Sequence, residues 1–396
     1  MDRSNKIVFF CSNELHLRLY GHLFVEGIKN ISVIYSLPKL YADGCDDLIK
    51  PDDGFSYKTL ELYGYFSGRL LNQLHMFYAA RKAFLNMLTF EEPRVLVLAN
   101  DTGAPERMAI RLARSLSIKT LLIQDGFIVP TENSNSKFSS LCDKLKLAYA
   151  QTFGQYFGLI SYGSGGCDVV AVTSEYWKLE FEKRQVADTK KIAIVGSPSM
   201  EFFLETAYAE PFNCDHMIVG HVTFFTTNFI SGYRDFIEHE AQISNIKNIR
   251  KLLPIEVNLI VSLHPADDSE DYIKLSLIPG IYLKYNENVE KIIENSWLCI
   301  TNFSSVYLTC VALGRVCILL GHGLRDSKYI NMLKKLPGDK VWSSNYLEQL
   351  LVTLTCLKDY NSALDDSRDV LFSQYIQYDE SATAVAKTVS LLMEDM

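Results

Sequence analysis

The chain has 396 residues, 39 Lys and Arg against 47 Asp and Glu, a formal net charge of -8 and 48% hydrophobic residues. That length exceeds one ordinary core and fits two domains of about 150 to 200 residues each, with a composition that excludes wholesale disorder. The acidic balance excludes broad nucleic-acid binding, because no basic excess exists to displace counterions from phosphates.

The nine cysteines form no CxxC pair and sit mostly inside apolar runs such as LCI and VCILL. They read as small buried hydrophobes in a reducing compartment, with neither disulfides nor zinc expected. The opening MDRSNKIVFFCS has too short an apolar run for a signal peptide, and no run reaches the length of a membrane span. The expected location is the cytoplasm, with peripheral contact at the inner face of a membrane left open.

In chain order, residues 7–11 and 31–35 read as buried strands around a helical stretch from 14 to 29, the βαβ pattern of an open parallel sheet. A loop rich in Asp, Gly and Pro covers 38–55, and a single long helix is predicted over 57–88. The strand at 95–99 ends in Asn100-Asp101-Thr102-Gly103. Pro105-Glu106 then opens a helix to Ser115 with a basic face of Arg107, Arg111 and Arg114. A buried strand at 120–124 ends in Asp125-Gly126, and the polar TENSNSKFSS beyond it suggests a flap above the loop edge of the sheet. Strands at 169–173 and 192–195 complete the first sheet.

The stretch TAYAEPFNCD near 206–215 reads as an inter-domain connection. A second series follows: strands within 216–225, 257–263, 281–285, 298–301 and 316–320, a helix over 233–253, and a closing helix within 381–396. The predicted architecture is α/β, with two doubly wound, Rossmann-like sheets facing a central cleft. The expected division is 1–206, 207–375 and a C-terminal helical segment 376–396.

Two stretches of the second half carry the strongest chemical signal. VNLIVSLHPADD ends a buried strand in His264-Pro265, and WLCITNFSSVYLTCVALGRVCILLGHG runs from a strand through Asn302, Ser304 and Ser305 into an apolar helix and a further strand. Strand, Ser-Ser cap and helix start present N–H groups and hydroxyls to an anion, and the imidazole sits on the same sheet edge, so a phosphate site for an activated sugar is predicted. His264 serves equally as a loop histidine bonded within its own turn, and the serines equally as plain caps.

Asp125, rigid after a buried strand, is a candidate general base, although a turn aspartate is the commoner role. Asn100, Asp101 and Glu106 border the first edge as candidate acceptor-side residues. Gly220, Thr223 and Glu287 are further donor-side candidates, with Thr226, Thr227 and Asn228 in an adjoining loop. Tyr162-Gly-Ser-Gly-Gly166 lacks the Lys-Ser/Thr ending of a phosphate loop and reads as a flexible hinge. No HExxH, GxSxG or spaced carboxylate set for a metal is evident.

LLIQDGFIVP (121–130), SLHPADD (262–268) and TNFSSVYLTCVALGRVCILLG (301–321) resemble the Asp-Gly, His-Pro and Ser-Ser motifs of bacterial GT-B sialyltransferases and polysialyltransferases. Asp-Gly-Phe-Ile also resembles a turn of capsule Kdo transferases. The motif order agrees over about 95–323; Gln124 departs from the acidic residue often found before Asp-Gly, and two serines stand for a longer serine run.

The resemblance implies an N-terminal acceptor domain, a C-terminal donor domain and inverting transfer of an acidic keto-sugar from a CMP-sugar to an oligosaccharide or glycolipid hydroxyl. In this scheme no metal or other cofactor takes part. Asp125 would be the base, His264 would bind the CMP phosphate and assist its departure, Ser304 with Ser305 would hold phosphate or the sugar carboxylate, and Asn302 and Pro265 are further donor-binding candidates. A CDP-glycerol-type polyol-phosphate transferase, a UDP-sugar 2-epimerase-like enzyme and a non-catalytic nucleotide-sugar-binding partner of an assembly complex are the rival readings.

Overall fold

The computed structural model describes residues 5–12, 14–24, 26–36, 56–60, 70–124, 162–163, 165–183, 191–209, 221–229, 236–265, 267–285, 287–302, 304–320, 361–362, 364–365, 368 and 383–394. The chain forms two compact units, Met1–Ser199 together with Gln377–Met396, and Met200–Ile376.

The first unit is built on seven strands: β1 (Ile7–Cys11), β2 (Ser32–Ser36), β3 (Ser56–Thr59), β4 (Val95–Leu98), β5 (Lys119–Ile123), β6 (Val169–Val172) and β7 (Ile192–Ile194). All are parallel, in the order β3-β2-β1-β4-β5-β6-β7. IVFFC and VLVL are buried at every position, as continuous apolar runs must be when helices cover both faces of a parallel sheet. The helices are α1 (Glu14–Gly21), α2 (Glu26–Lys29), α3 (Leu70–Glu91), α4 (Ala104–Ser115), α5 (Glu175–Lys183) and α6 (Pro198–Ala209), the last crossing from one unit to the next. Because β2 and β3 lie on one side of β1 and β4 on the other, the winding reverses between β1 and β4.

The second unit has β8 (His221–Phe225), β9 (Leu259–Ser262), β10 (Ile281–Lys284), β11 (Ser296–Thr301) and β12 (Val316–Leu319), parallel in the order β10-β9-β8-β11-β12. Here the reversal falls between β8 and β11. Phe225 pairs with Ser262 on one side and Thr301 on the other, so β8, β9 and β11 end level with one another. Its helices are α7 (Phe236–Leu252), α8 (Ser269–Tyr272), α9 (Val289–Glu294) and α10 (Val306–Ala312). Val222, Phe224, Val261, Leu298, Ile300 and Ile318 form the centre of one core with Ile246 and Ile249 of α7.

The closing helix α11 (Ala384–Met393) is capped by Thr383, whose hydroxyl accepts from Ala386 N at 3.1 Å. It belongs to the first unit: Leu392 is fully buried in the core formed by β1, β4 and β5, and Arg94 donates to its carbonyl. Burying one leucine in this way contributes roughly 1.5–3 kcal/mol.

Three expectations need correction. The helix predicted over 57–88 is a strand followed by a later helix. Ser56–Thr59 adds to the sheet edge beside β2, where Lys58 pairs with the buried Glu91 at the end of α3. Glu91 also accepts from Tyr35 Oη at 2.7 Å and from Lys6 Nζ at 3.0 Å. Burial pushes the Glu91 carboxyl up, but these hydrogen bonds outweigh it and hold it below its ordinary value. Tertiary pairing therefore overrides the helical spacing of the apolar residues. The stretch 14–29 is two helices, broken where Leu23 N and Phe24 N bond back to Tyr20 O and Gly21 O. Arg107 does not join a solvated basic face either; it is buried, with Nε donating to Gly103 O at 3.3 Å.

Candidate functional site

Ligand crevices of open α/β sheets lie beyond the carboxyl ends of the strands, where the winding reverses. In the second unit this edge is made by Thr226 and Thr227 after β8, His264 and Pro265 after β9, and Asn302, Ser304 and Ser305 after β11. The structure thus brings His264, Pro265, Asn302, Ser304 and Ser305 onto one edge of one sheet.

His264 sits in a tight turn. Its backbone N–H donates to Thr226 Oγ1 at 2.7 Å, Thr226 Oγ1 donates to Asp267 Oδ2 at 2.6 Å, and Asp267 N donates back to His264 O at 2.8 Å. Pro265 is exposed within the turn. Burial holds the His264 imidazole below its ordinary value, against the pull of Asp267; burial likewise pushes the Asp267 carboxyl up, against its hydrogen bond from Thr226 and the nearby His264. A further negative charge arriving beside the ring would favour its protonated form.

Beside β11, Thr301 Oγ1 donates to Phe225 O at 3.1 Å and locks the two strand ends together. Asn302 is buried and its Nδ2 donates to Leu320 O at 2.8 Å. Since a carbonyl can only accept, that contact fixes the amide orientation and leaves Oδ1 as a buried acceptor with no partner among the described residues. Ser304 Oγ accepts from Val306 N at 3.3 Å, capping the seven-residue α10, while Ser305 makes no capping bond and is exposed. A serine hydroxyl that accepts at a cap still has its proton to donate.

Thr223 is corrected. It lies inside β8, fully buried, with its hydroxyl 2.7 Å from Ser296 Oγ, a core contact away from the strand end. Glu287 follows β10, exposed and paired with Lys284 Nζ at 2.8 Å. Asp125 and Gly220 lie outside the described residues.

In the first unit, Asn100 Oδ1 accepts from Thr102 N at 3.0 Å, a local turn. Asp101 is fully buried and accepts from Gly163 N at 2.9 Å and Gly165 N at 2.6 Å. The YGSGG stretch is therefore fitted around a carboxylate of its own chain. Gly163 has φ 87°, open to glycine, and a Cβ on Gly165 would come 2.6 Å from Asp101 Cβ. Tyr162 Oη completes the attachment with contacts of 2.8 Å to Ala99 O and 3.0 Å to Ile123 O. Burial pushes the Asp101 carboxyl up to about 6, the two glycine amides pull it down, and neighbouring Glu106 adds to the rise. Glu106 is also buried, at the start of α4.

Solved structures with the same arrangement of elements include a putative UDP-N-acetylglucosamine 2-epimerase from Listeria monocytogenes, at 12% identity and TM-score 0.63, covering 99% of this chain and 95% of that one. A variant of the wall teichoic acid polymerase TagF matches at 14% identity and TM-score 0.55, over 99% of this chain and 89% of its own. The glycotransferase of kitacinnamycin matches at 12% identity and TM-score 0.56, over 98% and 99%. The chain has the GT-B fold. Comparison of the sequence with protein-family models and with curated proteins finds no match.

Within this GT-B chain, sequence reasoning passed over the residues that hold the second edge in place. Gln242 of α7 grips Thr227 at both ends, accepting from its N–H at 2.8 Å and donating to its carbonyl at 3.2 Å. The same Gln242 donates to Tyr272 Oη at 2.8 Å, and that hydroxyl lies 3.3 Å from His239 Nδ1. A signal existed: Glu238, His239, Gln242 and Asn245 recur at helical spacing on a face that is buried. Polar residues on a buried face need a partner, and for Gln242 that partner is Thr227 in the loop after β8. Among the described residues no group of three or more His, Cys, Asp or Glu is arranged to hold a metal ion, and no helix is long and apolar enough to cross a membrane.

Proposed function

We propose that the chain is an inverting glycosyltransferase that takes an acidic keto-sugar of the sialic acid or Kdo type from a CMP-sugar to a hydroxyl of an oligosaccharide or glycolipid. One observation carries the reading: the reversal point of the second sheet in a GT-B fold gathers an imidazole, hydroxyls and an amide oxygen with no partner among the described residues at level strand ends. The His-Pro and Ser-Ser motifs that supply those groups favour CMP and an acidic sugar.

In this scheme Asp125, two positions beyond the last residue of β5 in the sequence, takes the proton of the acceptor hydroxyl. The acceptor oxygen attacks the anomeric carbon as the bond to the phosphate oxygen of CMP breaks, and the electron pair departs on that oxygen. His264 and the Ser304 hydroxyl donate to the charge that develops there. These donors act on a monophosphate leaving group without a metal ion.

A screen of CMP, CDP and UDP by thermal shift tests the nucleotide, because a ligand that binds only the folded protein raises its melting temperature as its affinity grows. CMP is expected to give the largest rise; a rise with UDP alone would move the donor to a UDP-sugar. Asp125→Asn is expected to abolish transfer while leaving CMP affinity within about threefold, and His264→Ala to weaken both. Undiminished transfer by Asp125→Asn would remove the base assignment. One observation favours a second reading: a solved structure of the same fold is named a UDP-sugar 2-epimerase. Interconversion of a UDP-sugar with no acceptor present would select it.

A further inference from the structure

The turn that carries His264 is closed by a ring of three hydrogen bonds, His264 N–H to Thr226 Oγ1, Thr226 O–H to Asp267 Oδ2, and Asp267 N–H to His264 O. A turn at a loop edge rarely needs a carboxylate to close it, since the backbone bond alone suffices. Here the carboxylate lies beside the His264 imidazole, and it is held from behind. Tyr272 is fully buried, its hydroxyl accepts from Gln242 Nε2 at 2.8 Å, and the same hydroxyl lies 3.3 Å from His239 Nδ1. Gln242 at the same time clamps Thr227, so the loops after β8 and β9 are tied through a single network.

We propose that Asp267 is a positioning residue: through Thr226 it fixes the His264 turn at the sheet edge, and its carboxylate is the charge beside which the imidazole takes up a proton when an anionic nucleotide binds. This rests on the reading of His264 as the group that meets the nucleotide phosphate. The titratable groups packed around the turn are Asp267 in its own loop, Tyr272 and Asp271 on α8, and His239 on α7, whose Nε2 lies 3.7 Å from Asp271 Oδ2. Thr226, from β8, is neutral. Without ligand, burial keeps the His264 ring low despite Asp267, and a phosphate arriving beside it adds a second negative charge. The proton comes from solvent, so nucleotide binding takes up protons and is tighter on the acid side of neutrality.

The test is an NMR titration of ring-labelled histidines in the full chain, the His264 signal being assigned by its loss in His264→Gln. Asp267→Asn is expected to lower the His264 midpoint by about one unit, a roughly tenfold smaller imidazolium-to-imidazole ratio at a given pH. Proton uptake on CMP binding, measured calorimetrically in buffers of different ionisation enthalpy, is expected to fall with it. A folded Asp267→Asn protein with an unmoved His264 midpoint overturns the proposal.

Should that variant not fold, Thr226 decides. Thr226→Ser keeps the hydroxyl and is expected to match the parent, whereas Thr226→Val is expected to weaken CMP binding about tenfold; equal affinity and an equal midpoint in the two overturn the proposal. A midpoint that responds to Asp267→Asn while CMP, CDP and UDP all leave it unmoved supports the link between Asp267 and His264. That outcome sets aside the nucleotide reading of the site instead.

Discussion

The two sheets finish their inner strands in opposite ways. After β4 the polar residues turn inward: Asp101 has both carboxylate oxygens taken by amides of Gly163 and Gly165, and Tyr162 closes over the carbonyls of Ala99 and Ile123. After β8, β9 and β11 the polar residues are held by the elements behind them, Thr227 by Gln242 and the His264 turn by Thr226. His264 and Ser304 are half-buried, Ser305 is exposed, and Asn302 keeps an acceptor without a partner among the described residues. The first edge has used its hydrogen-bonding capacity on its own loop, and the second has kept part of it. A carboxylate at a sheet edge is thus no mark of a binding site until its partners are counted. Glu106 qualifies the contrast, since its Oε2 is also unpartnered, but that atom is buried where a Cβ on Gly103 would fall 2.0 Å away.

The largest effect that could break the comparison comes from Asp101→Ala. It strands the buried N–H of Gly163 and the part-buried N–H of Gly165, a buried one costing about 1–3 kcal/mol when unsatisfied, so a loss of about 3 kcal/mol in urea unfolding is expected. A loss below about 1 kcal/mol would show that the YGSGG loop is held by something else.

Acidity probes the same carboxylate with a smaller effect. Its folded value of about 6 exceeds an unfolded value of 3.8, so below pH 3.8 it is protonated in both states, and it costs stability as the pH rises through about 6. His22 acts in the opposite sense. Burial lowers it from 6.5 to about 4, so its contribution is intact above pH 6.5 and is lost as the pH falls toward 4. In the parent protein the two slopes oppose each other between pH 4 and 6.5. Asp101→Asn is expected to remove one and leave stability falling steadily with acid across that window, as read by melting temperature against pH. A parent and variant with the same slope would contradict the burial of Asp101.

How much of this was legible in the sequence follows from which forces set each part. Continuous apolar runs such as IVFFC, VLVL and SWLCIT can be little else than strands covered on both faces, and their order with helices between them yields two doubly wound sheets. The placement of His264, Asn302, Ser304 and Ser305 at one edge follows too, because each directly ends such a run. What the spacing hid was decided by distant partners. Ser56–Thr59 is a strand because β2 and Glu91 receive it, and Thr223 is a core residue because Ser296 lies across the ladder. YGSGG looked like a hinge because the acid it encloses, Asp101, precedes it by some sixty residues. Gln242 and Tyr272 were hidden for the same reason, as each looks like an ordinary helix residue until the loop it grips is known.

The smallest expected effect sharpens the comparison most. Among the described residues Asn302→Ala removes a single side-chain bond, that from Nδ2 to Leu320 O, because Oδ1 has no partner there to lose. Its stability cost in urea unfolding is therefore about 1 kcal/mol, well short of the Asp101→Ala value. An amide oxygen accepts and cannot bind a phosphate oxygen, so its natural partner is a donor on the ligand, a ribose or sugar hydroxyl or a base amino group. The variant should accordingly lose part of the thermal shift given by a nucleoside monophosphate and none of the shift given by inorganic phosphate alone. If Asn302→Ala costs as much folding stability as Asp101→Ala, the second edge is closed on itself like the first, and the contrast between them fails.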